Sequence, residues 1–245
     1  MAILSFEGLV RALPTQKNGI LFSDVSAIVE TPVTIALIGT SGQGKTSLLR
    51  LLSLLDEPEE GELWLQNRSF RDWSPTEWRK HVVYVAQHAV MLQGTIEDNL
   101  RAASRIHRVP FDQGRAEFLM ASLGLEHLGW GKNAGDLSGG EKQRIALIRA
   151  LMLNAPVLLL DEVTASLDQN SKHAVEELLT DLHTQEGVTM IWITHDIQQA
   201  QAISQRVWFM AEGTLLEDTS SDSFFKQPKT SAALRYLQLR EEGNY

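Results

Sequence analysis

An α/β fold is expected, with a mostly parallel sheet core, an antiparallel β edge and an inserted helical subdomain. Three observations predict it. Short apolar runs alternate with helical patterns from 33 to 203, a Gly-rich turn joins the first such run to its helix, and helical patterning replaces strand signal between 95 and 137. Alternating strands and helices argue for parallel strands covered on both faces.

The elements follow in order. Residues 4–10, 26–30 and 62–65 carry strand patterns that suit the antiparallel edge. The run 33–38 is apolar and β-branched, as a strand buried on both faces requires. After the turn, 46–55 places Leu48, Leu49, Leu51, Leu52 and Leu55 at helical spacing, and Pro58 follows the stop. Apolar residues at 82–85 precede Gln87, and helical stretches at 96–103 and 116–123 build the subdomain, about 88–137. A helix at 141–153, a strand at 157–160, a helix at 170–182, a strand at 188–193 and a helix ending near 203 complete the body. The expected organisation is one domain over 1–217 and a short polar tail over 218–245, with an amphipathic helix at 232–239.

Composition narrows the function. The chain has 245 residues, 43% of them apolar, so it can bury a sizeable core. With 22 basic against 31 acidic side chains the net charge is −9, and the basic footprint of a nucleic-acid binder is missing. The absence of Cys excludes a disulfide scaffold, thiol catalysis and a Cys zinc site. The first residues carry no basic segment followed by an apolar core, and no run approaches about 18 apolar residues, so neither a signal peptide nor a membrane span is expected.

Two segments carry chemistry. Gly39-Thr40-Ser41-Gly42-Gln43-Gly44-Lys45-Thr46, continuing into Ser47, has the spacing of a phosphate-binding loop. Glycines let successive N–H groups turn toward an anion, a helix N-terminus adds its positive end, Lys45 reaches the outer phosphates and the Thr46 hydroxyl faces Mg²⁺. Such an octet arises by chance in roughly one chain of this length in a hundred, and its position between an apolar strand and an apolar helix lowers that further. Leu158-Leu159-Leu160-Asp161-Glu162 is a strand ending in two acids. In a parallel sheet that end lies beside the phosphate loop, where Asp161 can hold Mg²⁺ through water and Glu162 can polarise an attacking water.

A third segment, Leu137-Ser138-Gly139-Gly140-Glu141 followed by Lys142-Gln143-Arg144, resembles the signature sequence of ATP-binding cassette (ABC) ATPases, the nucleotide-binding subunits of ABC transporters. The fold implied is a P-loop NTPase of ABC type. Three further segments match the family pattern. Gln87 corresponds to the Gln loop, which touches Mg²⁺ and the membrane subunit. Ala165-Ser166-Leu167-Asp168 corresponds to the loop that crosses to the partner. His195, after Trp192-Ile193-Thr194, corresponds to the switch His at the γ-phosphate. The resemblance covers about 3–217.

By that resemblance each ATP is sandwiched between one chain's phosphate loop and the partner's Ser138, Gly139, Gly140 and Asp168. A homodimer on ATP binding is implied, with ATP and Mg²⁺ as cofactors and Lys45, Gln87, Glu162 and His195 as the catalytic set. It also implies a separate transmembrane permease and a place on the cytoplasmic face of the membrane. Gly94-Thr95-Ile96 with Asn99 resembles exporter-type subunits, and the compact length is similar to ATPases of two-component systems that include an iron exporter. An importer subunit is the alternative, and a soluble non-transport ATPase the less favoured one. The family commonly stacks an aromatic on adenine; residues 10–21 hold none.

Overall fold

The computed structural model describes residues 1–13 and 19–242. In chain order the strands are β1 (Leu4–Ala12), β2 (Ile20–Val29), β3 (Thr34–Ile38), β4 (Glu60–Leu65), β5 (Arg68–Ser69), β6 (Val82–Val85), β7 (Val157–Asp161), β8 (Thr189–Ile193), β9 (Arg206–Ala211) and β10 (Thr214–Ser220). The helices are α1 (Lys45–Leu52), α2 (Pro75–His81), α3 (Ile96–Leu100), α4 (Ala102–His107), α5 (Gln113–Ser122), α6 (Gly139–Leu151), α7 (Gln169–Glu186), α8 (Ile197–Ile203), α9 (Ser221–Lys226) and α10 (Ser231–Glu242).

Six strands form one sheet in the order β10-β9-β3-β8-β7-β6. All its pairings are parallel except β10 with β9. Every residue of β3, β7 and β8 is buried, which is why these runs are continuously apolar instead of alternating. Leu158 and Leu160 face α6 and α7, while Val157 and Leu159 face the opposite layer with α1 and Trp78. That period of two divides the core between the faces of one sheet.

The register explains where the chemistry gathers. Leu37 pairs with Ile193, Ile193 with Asp161, and Leu160 with Val85. Four adjacent parallel strands therefore end together, and Gly39, Glu162, His195 and Gln87 each follow within two residues of those pairs. This is the carboxyl edge at which open α/β sheets bind ligands.

The structure departs from the sequence expectation in three places. The strands at 4–10, 26–30 and 62–65 belong to a second, antiparallel sheet, β2-β1-β4-β5, which packs its apolar side on the parallel sheet instead of extending its border. The helix expected at 96–103 is two helices that meet at Arg101. The boundary expected at 217 falls inside β10. Beyond it Phe224, Ala233 and Tyr236 are buried against Phe209 and Ala36, so residues that read as a polar tail close one face of the main sheet.

Candidate nucleotide site

The loop after β3 turns through Gly39, Gly42 and Gly44, with φ of 147°, 82° and 89°. Gly39 has a second constraint: a Cβ there would lie 2.1 Å from the Met210 carbonyl oxygen of β9. Lys45 opens α1 and folds back over the loop, its Nζ donating to the carbonyls of Gly39 at 2.8 Å and Thr40 at 3.0 Å. Its side chain is buried, and burial lowers its pKa against the pull of Glu162. A buried ammonium held by carbonyl dipoles at a helix N-terminus is a site for an anion. Thr40, Ser41 and Thr46 are exposed and Ser47 is half-buried. The Gln43 side-chain oxygen accepts from Gly213 N–H at 3.3 Å, which ties the loop to the β9-β10 turn.

The acids meet this loop from β7. Thr46 Oγ1 donates to Asp161 Oδ1 at 3.2 Å, and Tyr84 OH donates to Oδ2 at 2.8 Å. Asp161 is 2% exposed, and burial raises its pKa above the usual carboxylate value despite these donors. A hydroxyl and a buried carboxylate at hydrogen-bond distance are hard oxygen donors of the kind Mg²⁺ takes, so the residues present fit that ion.

Glu162 stands next to them in the left-handed region, φ 48°, its N–H bonded to the Ile193 carbonyl at 3.1 Å. A non-glycine residue there is held by its surroundings at a cost of about 1–3 kcal/mol. From this position the carboxylate meets Gln87, whose Nε2 donates to Oε2 at 2.9 Å, and His195, whose Nε2 lies 2.9 Å from Oε1. Burial lowers the His195 pKa, and so does Lys45. Lys45, Thr46, Gln87, Asp161, Glu162 and His195 thus come together in one chain.

Ser138, Gly139, Gly140 and Asp168 lie elsewhere. Ser138 Oγ accepts from Glu141 N–H at 3.2 Å and Glu141 Oε2 accepts from Ser138 N–H at 2.6 Å, a reciprocal cap that leaves Ser138 and Gly139 exposed. Asp168 caps α7 by accepting from Ser171 N–H at 3.1 Å. Their hydrogen bonds stay at their own helix starts. Three residues escape the sequence reading: Tyr84 on Asp161, and Tyr236 and Arg240, which join Thr40, Ser41 and His195 around a cavity of about 500 Å³. Tyr84 stands in the expected strand, but its hydroxyl gives no pattern there.

Among the described residues no helix is long and apolar enough to cross a membrane. The family model described as ABC transporter matches residues 22–165. A putative ABC transporter ATP-binding protein of Bacillus subtilis, YjkB, is 36% identical over 89% of this chain and 86% of its own length. The methionine import ATP-binding protein MetN of Escherichia coli is 32% identical over 88% of this chain and 64% of its own. Among solved structures, a bacterial Atm1-family ABC exporter with ATP bound superposes with a TM-score of 0.84 at 22% identity, covering 97% of this chain and 42% of that one. A dimeric ATP-binding cassette in a post-hydrolysis state with ADP and Pi gives 0.78 at 24%, covering 89% and 98%. Both share the fold. The chain belongs to the ABC transporter family, as an ATP-binding and ATP-hydrolysing subunit.

Proposed function

We propose that this subunit hydrolyses Mg-ATP in an ATP-closed homodimer and drives transport through a separate membrane permease at the cytoplasmic membrane face. The observation that carries it is the convergence of Lys45, Thr46, Gln87, Asp161, Glu162 and His195 on one sheet edge. Gly39 to Ser47 cradle the phosphates and Lys45 supplies the buried cation. Thr46, Asp161 and Gln87 would hold Mg²⁺, which when bound would neutralise phosphate charge. Glu162 accepts the proton of the attacking water and His195 donates to the terminal phosphate. Phosphoryl transfer of this kind rests on positioning and charge stabilisation.

The exposed Ser138, Gly139 and Asp168, with the half-buried Gly140, are the surfaces offered to a partner chain's nucleotide. An apolar cleft of about 400 Å³ beside Gln87, between β6, α4 and α6, supports permease docking, with Val90, Leu92 and Ile106 exposed at its rim. Export is the direction favoured by the 94–99 segment, where Thr95 caps α3 and Asn99 is fully buried between Leu92 and Arg149; a metal ion such as iron as its cargo rests on the resemblance of the compact length and the 138–149 run to ATPases of two-component systems that include an iron exporter. Import is the second reading, favoured by relatives named for methionine import. Co-purified permease and ATPase in sealed vesicles test this: ATP-dependent extrusion of the metal supports export, uptake supports import, and no coupling to the permease overturns the transport reading.

A further inference from the structure

Helix α10 ends over the nucleotide site. Its inner side is fixed by Tyr236, 3% exposed and 5.4 Å from the Phe209 ring, and by the buried Ala233. One helical turn on, the Arg240 guanidinium stands 5.7 Å from the Tyr236 ring centre, the separation expected of residues i and i+4. From there Arg240 Nη2 reaches His195 Nδ1 at 3.2 Å.

Guanidinium groups only donate hydrogen bonds. The ring nitrogen facing Arg240 must therefore present its lone pair, and a neutral imidazole that accepts at Nδ1 carries its proton on Nε2. Nε2 is the atom 2.9 Å from Glu162 Oε1, so the same tautomer satisfies both contacts. An imidazolium would instead turn an N–H toward a cation. The charges that act on the ring come from several elements: Lys45 of α1, Glu162 after β7 and Arg240 of α10; the neighbouring Asp196 is paired with Lys172 of α7.

We propose that Arg240 is a positioning residue of the nucleotide site, carried there by α10 to hold His195 neutral, with its proton on Nε2 and directed at Glu162 and the terminal phosphate. The phosphate half of this statement rests on the role given to His195 above. The tautomer half stands on the apo geometry alone. Residues after 217 are thereby part of the hydrolytic apparatus rather than a packing addition.

The test uses the full chain labelled with ¹⁵N-histidine, the His195 signals being identified by their loss in His195→Gln. Wild type at pH 7 is expected to show a single Nε2–H tautomer. Arg240→Ala should mix the tautomers, lower kcat about tenfold with KM for ATP unchanged, and move the acidic limb of the pH–rate profile up by about one unit, since a like charge beside the imidazole is lost. Arg240→Lys, which keeps a cationic donor, should restore most of kcat and the position of that limb. Unchanged His195 signals and pH profile in Arg240→Ala would overturn the proposal, as would faster turnover, which would make α10 a restraining lid. If wild type failed to hydrolyse ATP, the functional reading would fall while the ¹⁵N signals still decided the tautomer.

Discussion

Gln87 and Glu162 are joined across 75 residues of sequence by a hydrogen bond of 2.9 Å, from Nε2 to Oε2. With His195 at Oε1, both oxygens of the carboxylate are engaged in the nucleotide-free chain. Each oxygen keeps a further lone pair, so a water activated by Glu162 either joins these donors or displaces one. Gln87 is one of these donors, so this bond links the Glu162 carboxylate to the loop that follows β6.

Removing the amide should therefore disturb turnover more than binding. Gln87→Ala is expected to lower kcat about tenfold, the worth of one hydrogen bond to a charged group, with ATP affinity unchanged. Equal losses in affinity and kcat, read from titration and steady-state hydrolysis, would place Gln87 in binding instead.

The register that gathers these residues was largely legible in the sequence. Apolar runs at 33–38, 157–160 and 188–193 identify parallel strands, and each is followed by its functional residue. Two features were not legible. Val, Trp, Phe and Met at 207–210 carry a strand pattern, but β10 and α9 read as polar until tertiary packing buries Phe224 beneath α8 and β9. Arg240 lies 45 residues from His195, and a lone arginine near a chain's end gives no local sign of what it will meet.

Asp161 gives a prediction with an unusual sign. Burial raises its pKa above the ordinary 3.8, so the folded state holds the proton more tightly than the unfolded chain. Stability from this group is complete below about 3.8 and is lost as pH rises through the folded value. Asp161→Asn, which keeps the shape without the charge, should melt higher than wild type at pH 7 in nucleotide-free buffer, and the difference should shrink in acid. The same variant should lose Mg-ATP turnover by about 100-fold or more. A lower melting temperature at pH 7 would contradict the account of a buried carboxylate that awaits a cation.

Gly39 and Gly42 separate backbone strain from steric exclusion. Both have φ in the left-handed half of the map, but a Cβ meets the Met210 carbonyl at 2.1 Å only at Gly39, and nothing within 4 Å at Gly42. Gly42→Ala should cost about 1 kcal/mol through conformation alone. Gly39→Ala should cost about 3 kcal/mol or more, because β9 backbone must move. Urea denaturation of the pair checks the order, and equal midpoints would contradict it.

Base recognition should be weak. Phe6 and Phe22 are buried, Ala12 and Leu13 are half-buried, Ile20 is 59% exposed, and Pro14 lies outside the described residues. Without an exposed aromatic here, the stacking contribution of about 1–3 kcal/mol per base is missing. ATP and GTP are then expected to bind within about tenfold of each other. Titration of both nucleotides into Glu162→Gln protein reads this directly, and a preference for ATP above about a hundredfold would mean that an aromatic reaches the base.

One variant measured two ways tests whether Glu162 activates water inside a dimer closed by ATP. Purified Glu162→Gln should bind Mg-ATP as wild type does, lose steady-state hydrolysis by about 100-fold or more, and pass from monomer to dimer in light scattering when Mg-ATP is added. Hydrolysis at the wild-type rate, or a variant that stays monomeric with ATP bound, would contradict it.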